Sequence, residues 1–315
     1  MGGLLSVVIP AYNEESIIDK TGNVLPELLE HEKIPFEILF VDDGSKDETW
    51  NKIKRLSAKE NRIKGIHFSR NFGKEAAIYA GLHASKGECA VVIDCDLQHP
   101  PQKIIEMYRL WEQGYEVIEA VKSSRGKEST LHRMCANSFY RIISKVTKID
   151  MSRASDFKLL DRKAVLVLIN MKEKNFFFRA LSAWVGFKKI QIEFDVQERE
   201  AGQSKWSSWS LVKYAISNIA SFTTAPMQIV TFMGVILLVI SAVLSMITLV
   251  QKIMGSALGG FTTVIIFQAF STSMIMIALG IIGYYIARIY DEIRERPRYI
   301  VWETCGIEET NETDR

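Results

Sequence analysis

Two acidic side chains, Asp94 and Asp96, follow a short apolar segment, Ala90–Ile93, that has the length and composition of a buried strand. They flank Cys95, and in extended backbone residues two apart point to the same side of the chain. Two carboxylates that converge at a strand end suit a hard divalent cation, which commonly takes one or two carboxylates together with substrate phosphates. Standing alone, such a pair could equally be two solvated loop acids, so its surroundings decide the interpretation.

Three further apolar segments also end in polar clusters, and a stretch with helical pattern separates each segment from the next. Strands that alternate with helices predict a mostly parallel sheet with helices on both faces. In such a sheet ligands bind outside the carboxyl ends of the strands, which is where the polar residues fall. The segments are Leu4–Ile9, Phe36–Val41 and Ile63–Phe68, followed by Asn13 with Glu14, Asp42 with Asp43, and Arg70 with Asn71.

The loop after the first strand excludes a large class of proteins with this architecture. A dinucleotide-binding dehydrogenase seats its pyrophosphate on a GxGxxG motif at that point, whereas the loop Pro10–Glu15 contains no glycine. Composition excludes other classes, because 39 Lys and Arg nearly balance 37 Asp and Glu and 48% of the 315 residues are hydrophobic. Such a chain is not disordered, and it lacks the basic excess of a nucleic-acid-binding protein.

The charges are unevenly distributed along the chain. Residues 214–287 contain one charged side chain, Lys252, and the apolar runs on either side of it are long enough for helices that cross ~30 Å of hydrocarbon. We expect membrane spans near Gln228–Val250 and Thr262–Ile286, with a short external loop between them; two buried core helices are the alternative. Lys and Arg flank the pair on both sides, so the positive-inside rule predicts that both termini are cytoplasmic.

These features divide the chain into four predicted segments. Residues 1–205 form a cytoplasmic α/β domain, 226–287 hold the two spans, and 288–315 form a cytoplasmic tail. Between the first two, residues 206–225 have the spacing of an amphipathic helix in the headgroup layer, with Trp206 as an interfacial anchor; a helix packed on the domain is the alternative. The four cysteines lack CxxC spacing, which favours reduced thiols over a zinc or disulfide framework.

Six ordered motifs, spread over nearly the whole chain, resemble those of the family-2 glycosyltransferases. The last two resemble the subgroup that glycosylates polyprenyl phosphates, which includes bactoprenol glucosyltransferases and dolichol-phosphate mannose synthases. Trp206 stands where this subgroup usually has Tyr, and the QxxRW signature of processive polysaccharide synthases is absent, which favours addition of a single sugar. The motifs are Val8–Glu15, Val41–Thr49, Ser69–Lys74, Asp94–Pro101, Ser155–Arg162 and Arg199–Trp206.

The resemblance implies a GT-A-type domain that binds a nucleotide sugar, and it implies roles for residues in the motifs. Asp96 would hold Mg²⁺ or Mn²⁺ on the diphosphate, and Asp94 would contact the ribose or the sugar. Asp42 and Arg70 would recognise the base, with uracil favoured. The other donor-binding residues would be Pro10, Tyr12, Glu14 and Gln98.

Some residues of these motifs also have plain structural interpretations. Pro10 could only end a strand, Asp47 could cap a helix, and Lys74 could be a solvated charge on a helix. The observed neighbours of each residue decide between the two interpretations.

The resemblance also places Asp156 near the anomeric carbon. A phosphate monoester has a second pKa near ~6 and is largely deprotonated at pH 7, so the acceptor would bring its own nucleophile. We therefore expect Asp156 to orient the reactants or act as a weak base in a single, inverting displacement. Cations near the acceptor loops of the family would hold the acceptor phosphate: Arg125, Arg133, Arg199 and Lys205.

The expected function is transfer of one sugar from a UDP-sugar to undecaprenyl or another polyprenyl phosphate at the cytoplasmic leaflet. Glucose is the favoured sugar and N-acetylglucosamine the next. A GDP-mannose-dependent synthase of the same fold is one alternative, and an inactive membrane scaffold is another; intact Asp94, Asp96 and Asp156 speak against the scaffold. Relatives in the family suggest a homo-oligomer formed through the membrane helices.

Overall fold

A computed structural model of the chain describes residues 2–122, 155–173, 177–194, 225–254 and 260–307. The chain divides into two compact units. Residues Met1–Trp206 together with Pro297–Arg315 make the first, and Ser207–Arg296 make the second. The segment that follows the apolar helices therefore belongs to the same unit as the N-terminal domain.

The first unit is an α/β domain, and its early elements follow the predicted alternation of strands and helices. Four strands, each succeeded by a helix, come first, and shorter elements follow. In chain order they are β1 (Leu5–Ala11), α1 (Ile18–His31), β2 (Phe36–Asp42), α2 (Thr49–Lys59), β3 (Ile63–Phe68), α3 (Lys74–Ala84), β4 (Cys89–Val92), α4 (Gln102–Glu112), β5 (Val117–Lys122), β6 (Lys158–Asp161), α5 (Arg162–Ile169), α6 (Phe178–Trp184), β7 (Lys189–Phe194) and β8 (Val301–Cys305).

These strands form one eight-stranded sheet in the order β7-β5-β6-β4-β1-β2-β3-β8. Strands β1 to β4 are mutually parallel where they pair, as expected for apolar segments connected by helices. Strand β6 runs antiparallel to both β4 and β5, so its beginning lies beside the end of β4. The mostly parallel GT-A-type sheet is confirmed, and the antiparallel β6 brings a later part of the chain to the carboxyl edge.

Apolar residues cover both faces of the sheet, because successive side chains of a strand point to opposite faces. Phe40 of β2 packs in a large cluster with residues of α1, α2 and α4. Its neighbour Val41 packs in a second cluster with Ala77 and Ala80 of α3. Helices therefore lie on both faces of the sheet, which explains why β1 and β2 are buried along their entire length.

The segment after the apolar helices, which the sequence suggests is a tail, contains strand β8. It pairs antiparallel with β3, with His67 opposite Glu303 and Gly65 opposite Cys305. Gly65 permits this close pairing, since a Cβ there would lie 2.7 Å from Cys305 Sγ. A segment of five residues is too short to show a periodic pattern of its own, so the sequence alone does not predict its pairing with β3.

The second unit contains two long helices, α7 (Ala225–Ile253) and α8 (Phe261–Ile293). Stretches of 22 residues in α7 and 24 residues in α8 are long and apolar enough to cross a membrane, and none of their described side chains is buried. A core helix of a soluble protein buries such residues. At 33 residues α8 is about 50 Å long, so it extends past the expected span into the charged sequence around Asp291. The predicted helix at 206–225 lies outside the described residues except for Ala225.

Candidate active site

The polar residues predicted at the strand ends lie along one edge of the sheet. Parallel strands β1 to β4 bring their carboxyl ends together, and β6 begins at the same edge because it is antiparallel to β4. The register pairs Val92 with Lys158, so Asp94, two residues after Val92, and Asp156, two residues before Lys158, lie near each other. Sheet topology thus joins two acids that are 62 positions apart in the sequence.

Lys74 links these two acids. Its Nζ lies 2.5 Å from Asp94 Oδ1 and 2.9 Å from Asp156 Oδ2. Burial would lower the pKa of Lys74, but the two carboxylates raise it above its usual value, so the side chain stays protonated. Lys74 is therefore part of the acidic cluster and not a solvated helix charge.

Asp156 is held by a second cation, Arg179, the second residue of α6. Arg179 Nε donates to Asp156 Oδ1 at 2.7 Å and Nη2 donates to Oδ2 at 2.8 Å. Burial of Asp156, which is 5% exposed, opposes ionisation, yet Lys74 and Arg179 hold the pKa of this carboxyl well below its usual value. An acid of this kind stays ionised at physiological pH and cannot donate a proton, which agrees with an orienting role.

Glu75, next to Lys74 on α3, fixes the start of α6. Its Oε2 accepts the backbone N–H of Phe178 at 2.9 Å. Burial, and then the nearby negative charge of Asp156, raise the pKa of Glu75 to about 7. Helix α6 is thereby tied to α3 one residue before the arginine that holds Asp156.

A buried ion pair between Lys158 and Glu119 contacts helix α6. Lys158 Nζ lies 2.9 Å from Glu119 Oε1 on β5 and donates to Ser182 Oγ at 2.9 Å and to the Arg179 carbonyl oxygen at 3.3 Å. Both charged side chains are almost fully buried. Burial lowers the pKa of Lys158 against the opposing influence of Glu119. Because a buried pair with further hydrogen bonds has a fixed geometry, it holds α6 in place.

Asp96 lies in a tight turn after β4. Gln98 N donates to its Oδ1 at 3.2 Å, and the residue between them, Leu97, has a φ of 54°. A left-handed backbone is strained for leucine, and such strain concentrates at functional sites. The turn therefore holds Asp96 beyond the end of β4, where its side chain is partly exposed.

The residues of this turn fit a divalent cation that a substrate also binds. Asp94 and Asp96 are both partly exposed at the strand end, whereas no group of three or more acidic, His or Cys side chains that could hold a metal occurs among the described residues. Burial raises the pKa of Asp94, but Lys74 and His99 outweigh it and lower that pKa overall. A pair of carboxylates at a strand end suits a cation whose other ligands include substrate phosphates.

A pocket of about 470 Å³ lies at the same edge, at the ends of β1, β2 and β3. Gly44, with a φ of 68°, allows its loop to approach the backbone of Arg70 closely, because a Cβ there would lie 2.4 Å from the Arg70 carbonyl carbon. Tyr12 and Arg70, both predicted to bind the nucleotide, line it. The lining residues are Tyr12, Gly44, Ser45, Lys46, His67, Phe68, Ser69, Arg70 and Asn71.

Asp42 is fully buried beneath this pocket. Its Oδ1 accepts the Ser45 N–H at 3.1 Å and the Ser45 hydroxyl, and its Oδ2 lies 2.8 Å from His67 Nδ1. Burial raises the pKa of Asp42, while Ser45 and His67 partly offset the effect. The sequence suggested Asp42 as the residue that recognises the base; the structure brings His67 to the pocket lining and places Asp42 behind it.

The loops around the pocket are fastened to one another through side chains. Asn13 N donates to Ser45 Oγ at 2.8 Å, and Glu14 N donates to Thr49 Oγ1 at 2.9 Å. Asp47 accepts the Thr49 N–H at 3.0 Å, as expected for a residue at a helix start. Pro10 lies inside β1 opposite Val41, at a point where pairing with β4 has already ended, so its missing N–H disturbs no ladder.

Four predicted acceptor-binding cations, Arg125, Arg133, Arg199 and Lys205, lie outside the described residues. The structure adds His67, Glu75 and Arg179 to the site. These three residues lie outside the polar clusters that follow the predicted strands. Their residue types alone therefore did not identify them as site residues.

The mostly parallel sheet, with charged residues and a pocket at its carboxyl edge, is the arrangement expected of a nucleotide-diphospho-sugar transferase of the GT-A type. Residues 6–168 match the profile of glycosyl transferase family 2. The chain belongs to this family and is a glycosyltransferase.

Curated relatives align with almost the whole chain. An uncharacterized glycosyltransferase of Bacillus subtilis, YkcC, is 39% identical over 305 residues, 96% of this chain and 94% of the relative. The prophage bactoprenol glucosyl transferase homolog of Escherichia coli is 33% identical over 300 residues, 94% of this chain and 98% of the relative. The bactoprenol glucosyl transferase of Shigella phage SfII is also 33% identical, over 94% of this chain and 97% of its own length.

Proposed function

We propose that this glycosyltransferase moves a single sugar from a UDP-sugar to polyprenyl phosphate, with glucose favoured and N-acetylglucosamine next. The observation that carries the proposal is the cluster in which Lys74 joins Asp94 to Asp156, because it connects the predicted donor site to the predicted reaction centre. The relatives named bactoprenol glucosyl transferase support glucose and a lipid phosphate acceptor.

The donor nucleotide would occupy the pocket at the ends of β1, β2 and β3. Arg70 lies with its guanidinium 4.0 Å from the Phe72 ring centroid and presents a planar cation at the pocket wall, and Tyr12 adds an aromatic side chain. The other residues proposed for the donor site are Pro10, Glu14, Asp42, Asp94 and Gln98, of which Asp42 is fully buried beside His67.

Asp96, with Asp94 beside it, would hold Mg²⁺ or Mn²⁺ on the diphosphate. Such a cation supplies Lewis-acid stabilisation to the negative charge that the leaving nucleoside diphosphate develops. Burial raises the pKa of Asp94, but Lys74 and His99 outweigh this effect, so the chain itself favours the ionised carboxylate of Asp94.

The chemistry would be one inverting displacement. An oxygen of the acceptor phosphate forms the new bond to the anomeric carbon while the bond from that carbon to the UDP oxygen breaks, and the bonding electrons leave with UDP. A phosphate monoester at pH 7 is largely deprotonated, so no strong base is required. Asp156, ionised and held by Lys74 and Arg179, would orient the reactants at the anomeric carbon.

The acceptor phosphate needs cations, and guanidinium groups suit it because they donate two parallel hydrogen bonds. Arg125, Arg133, Arg199 and Lys205 are the proposed ligands. Lys74 is already engaged by two carboxylates and is not assigned to this phosphate.

An isoprenoid acceptor stays in the bilayer, so the site would work at a membrane surface, and the positive-inside pattern favours the cytoplasmic leaflet. Helices α7 and α8 would cross the membrane as a pair, with both chain termini in the cytoplasm. The pairing of β8 with β3 supports an even number of crossings, since β3 precedes the two helices and β8 follows them in one sheet. A homo-oligomer through these helices stays a prediction.

A donor and acceptor screen tests the proposal. The full-length protein in nanodiscs is incubated with undecaprenyl phosphate, Mn²⁺ and labelled UDP-glucose, UDP-N-acetylglucosamine or GDP-mannose, and the extracted glycolipid is measured. We expect product with UDP-glucose and almost none from Asp156→Asn, with UDP binding retained. If product forms only with GDP-mannose, the donor is GDP-mannose and not a UDP-sugar. If no donor gives product, the result favours an inactive scaffold.

The predicted orientation has a separate test. The unaltered protein, which has four cysteines, sets the background labelling by a membrane-impermeant maleimide. Above that background, Ser256→Cys, between the two helices, should add label in intact cells, and Thr313→Cys should add label only after lysis. The reverse pattern would contradict the cytoplasmic assignment.

A further inference from the structure

His67, a residue of β3, is one of the residues that line the pocket, and its side chain is partly exposed. On one side its Nδ1 lies 2.8 Å from Asp42 Oδ2. On a face of the ring Trp50 is stacked, with centroids 5.0 Å apart and planes inclined by 15°. The imidazole is therefore fixed in position and rotation by two buried side chains.

The hydrogen-bond partner of Nδ1 determines which of the two ring nitrogens carries the hydrogen. An ionised carboxylate only accepts hydrogen bonds, so Asp42 requires the hydrogen of a neutral imidazole to be on Nδ1. The ring then accepts hydrogen bonds at Nε2. A pocket lined by such a ring favours a ligand with an N–H donor.

We infer that His67 recognises the nucleobase of the donor by accepting its ring N–H at Nε2, and that Glu303 positions His67. This inference rests on the proposed function. Uracil carries the required N–H at N3, and guanine carries one at N1, whereas cytosine and adenine have unprotonated acceptor nitrogens at the equivalent edges. Asp42, which is fully buried, would act on the base through His67.

Glu303 reaches His67 through Trp50. Trp50 Nε1 donates to Glu303 Oε2 at 2.6 Å, and Glu303 lies directly opposite His67 in the β3–β8 pairing, which puts both side chains on one face of the sheet. Lys54 Nζ forms an ion pair with the same carboxylate at 3.1 Å. Glu303 is thus a positioning residue that comes from the strand following the apolar helices.

The test compares UDP with 3-methyl-UDP, in which a methyl group replaces the N3 hydrogen. Binding to the full-length protein in nanodiscs is measured by calorimetry with Mn²⁺ present. The unaltered protein should bind UDP about tenfold more tightly, the factor that ~1.4 kcal/mol represents. In His67→Phe, which keeps an aromatic ring against Trp50, the two ligands should bind within about twofold of each other.

Two results would overturn the inference. Equal binding of the two ligands by the unaltered protein would show that no N–H is read, and a tenfold preference that persists in His67→Phe would assign the reading to another residue. His67→Gln, whose carbonyl oxygen can also accept, should retain part of the preference, and it serves if the phenylalanine variant does not fold. The exposed His31, altered to Phe, is the matched control.

The positioning role has its own readout. Trp50→Phe keeps a ring but removes the N–H that binds Glu303, so the preference for UDP over 3-methyl-UDP should fall. Lys54→Met removes the outer ion pair and should leave the preference unchanged. A preference that survives in Trp50→Phe would overturn the role of Glu303, and an unaltered protein that binds no UDP would overturn the proposed function itself.

Discussion

Arg179 binds the carboxylate of Asp156 with two hydrogen bonds of 2.7 and 2.8 Å, one to each oxygen. This fork fixes the plane of the carboxylate as well as its position, since a guanidinium offers two parallel donors. Lys74 adds a third contact at 2.9 Å. The orientation of Asp156 therefore depends on residues of two different helices, α3 and α6.

Arg179→Lys should lower kcat much more than it raises the donor KM. A lysine keeps the charge but forms a single contact, so the carboxylate loses its fixed plane. Misplacement of a reacting group by about 1 Å can cost about 100-fold in rate, and we expect a loss of that order. Steady-state kinetics of glycolipid formation measures both constants, with the exposed Arg55→Lys as control. A normal kcat would mean that the fork does not matter for turnover.

Glu75 should give the protein a pH-dependent stability near neutrality. Its pKa is raised from 4.5 to about 7 by burial and by Asp156. Between these values the folded state holds a proton that the unfolded state has released, so Glu75 makes the protein less stable as pH rises from about 4.5 to about 7. Thermal unfolding of Glu75→Gln should show a flatter dependence over this range, because the amide does not titrate.

The control for Glu75 is Glu106→Gln on α4, an exposed residue in an ion pair with Lys103. It should reproduce the pH dependence of the unaltered protein. A Glu75→Gln profile that follows the same curve would exclude Glu75 as the titrating group.

The first four strands could be predicted from the sequence because each is a continuous apolar run that ends in polar residues. Leu4–Ile9 was expected and β1 is Leu5–Ala11, while Ile63–Phe68 and β3 coincide. The edge at which the site lies followed from the same pattern, since parallel strands have their carboxyl ends together. Local sequence was sufficient wherever the position of a residue depends on its own strand.

The rest of the site depends on long-range pairing that local sequence does not encode. Asp156 meets Asp94 only because β6 is antiparallel to β4, and Lys74 belongs to the cluster because α3 begins beside both acids. Arg179 lies on a seven-residue helix with no polar motif. Strand β8 forms only by pairing with β3. The two long apolar helices separate these strands in the sequence, so the sequence does not indicate that β8 belongs to the N-terminal domain.

Removal of the divalent cation should abolish glycolipid formation, and Mn²⁺ or Mg²⁺ should restore it. Asp96→Asn should raise the metal concentration needed for half-maximal activity, since a neutral amide is a weaker ligand for a hard cation. The measurement is a metal titration after treatment with EDTA, with UDP-glucose and polyprenyl phosphate held constant. An unchanged titration curve for Asp96→Asn would remove Asp96 from the metal site.

Gly44→Ala should weaken nucleotide binding more than it lowers stability. The Cβ would lie 2.4 Å from the Arg70 carbonyl carbon, and the backbone at φ 68° is left-handed, so the loop that carries Arg70 must move. We expect the Kd for UDP to rise about tenfold, equivalent to ~1.4 kcal/mol. Gly114→Ala, at φ 89° but with no atom within 4 Å of the Cβ, is the control for backbone strain alone.

Tyr299→Ala should destabilise the first unit through the segment that follows α8. The Tyr299 ring stacks on Phe68, a pocket-lining residue, with centroids 4.9 Å apart and planes inclined by 17°. Truncating a buried aromatic costs about 3–5 kcal/mol; because Tyr299 is only half-buried, we expect about 2 kcal/mol and a weaker affinity for UDP. Trp302→Ala on β8, whose side chain is 74% exposed, should change neither the melting temperature nor UDP affinity. A UDP affinity that is unchanged in Tyr299→Ala would mean that this segment stabilises the first unit without supporting the pocket.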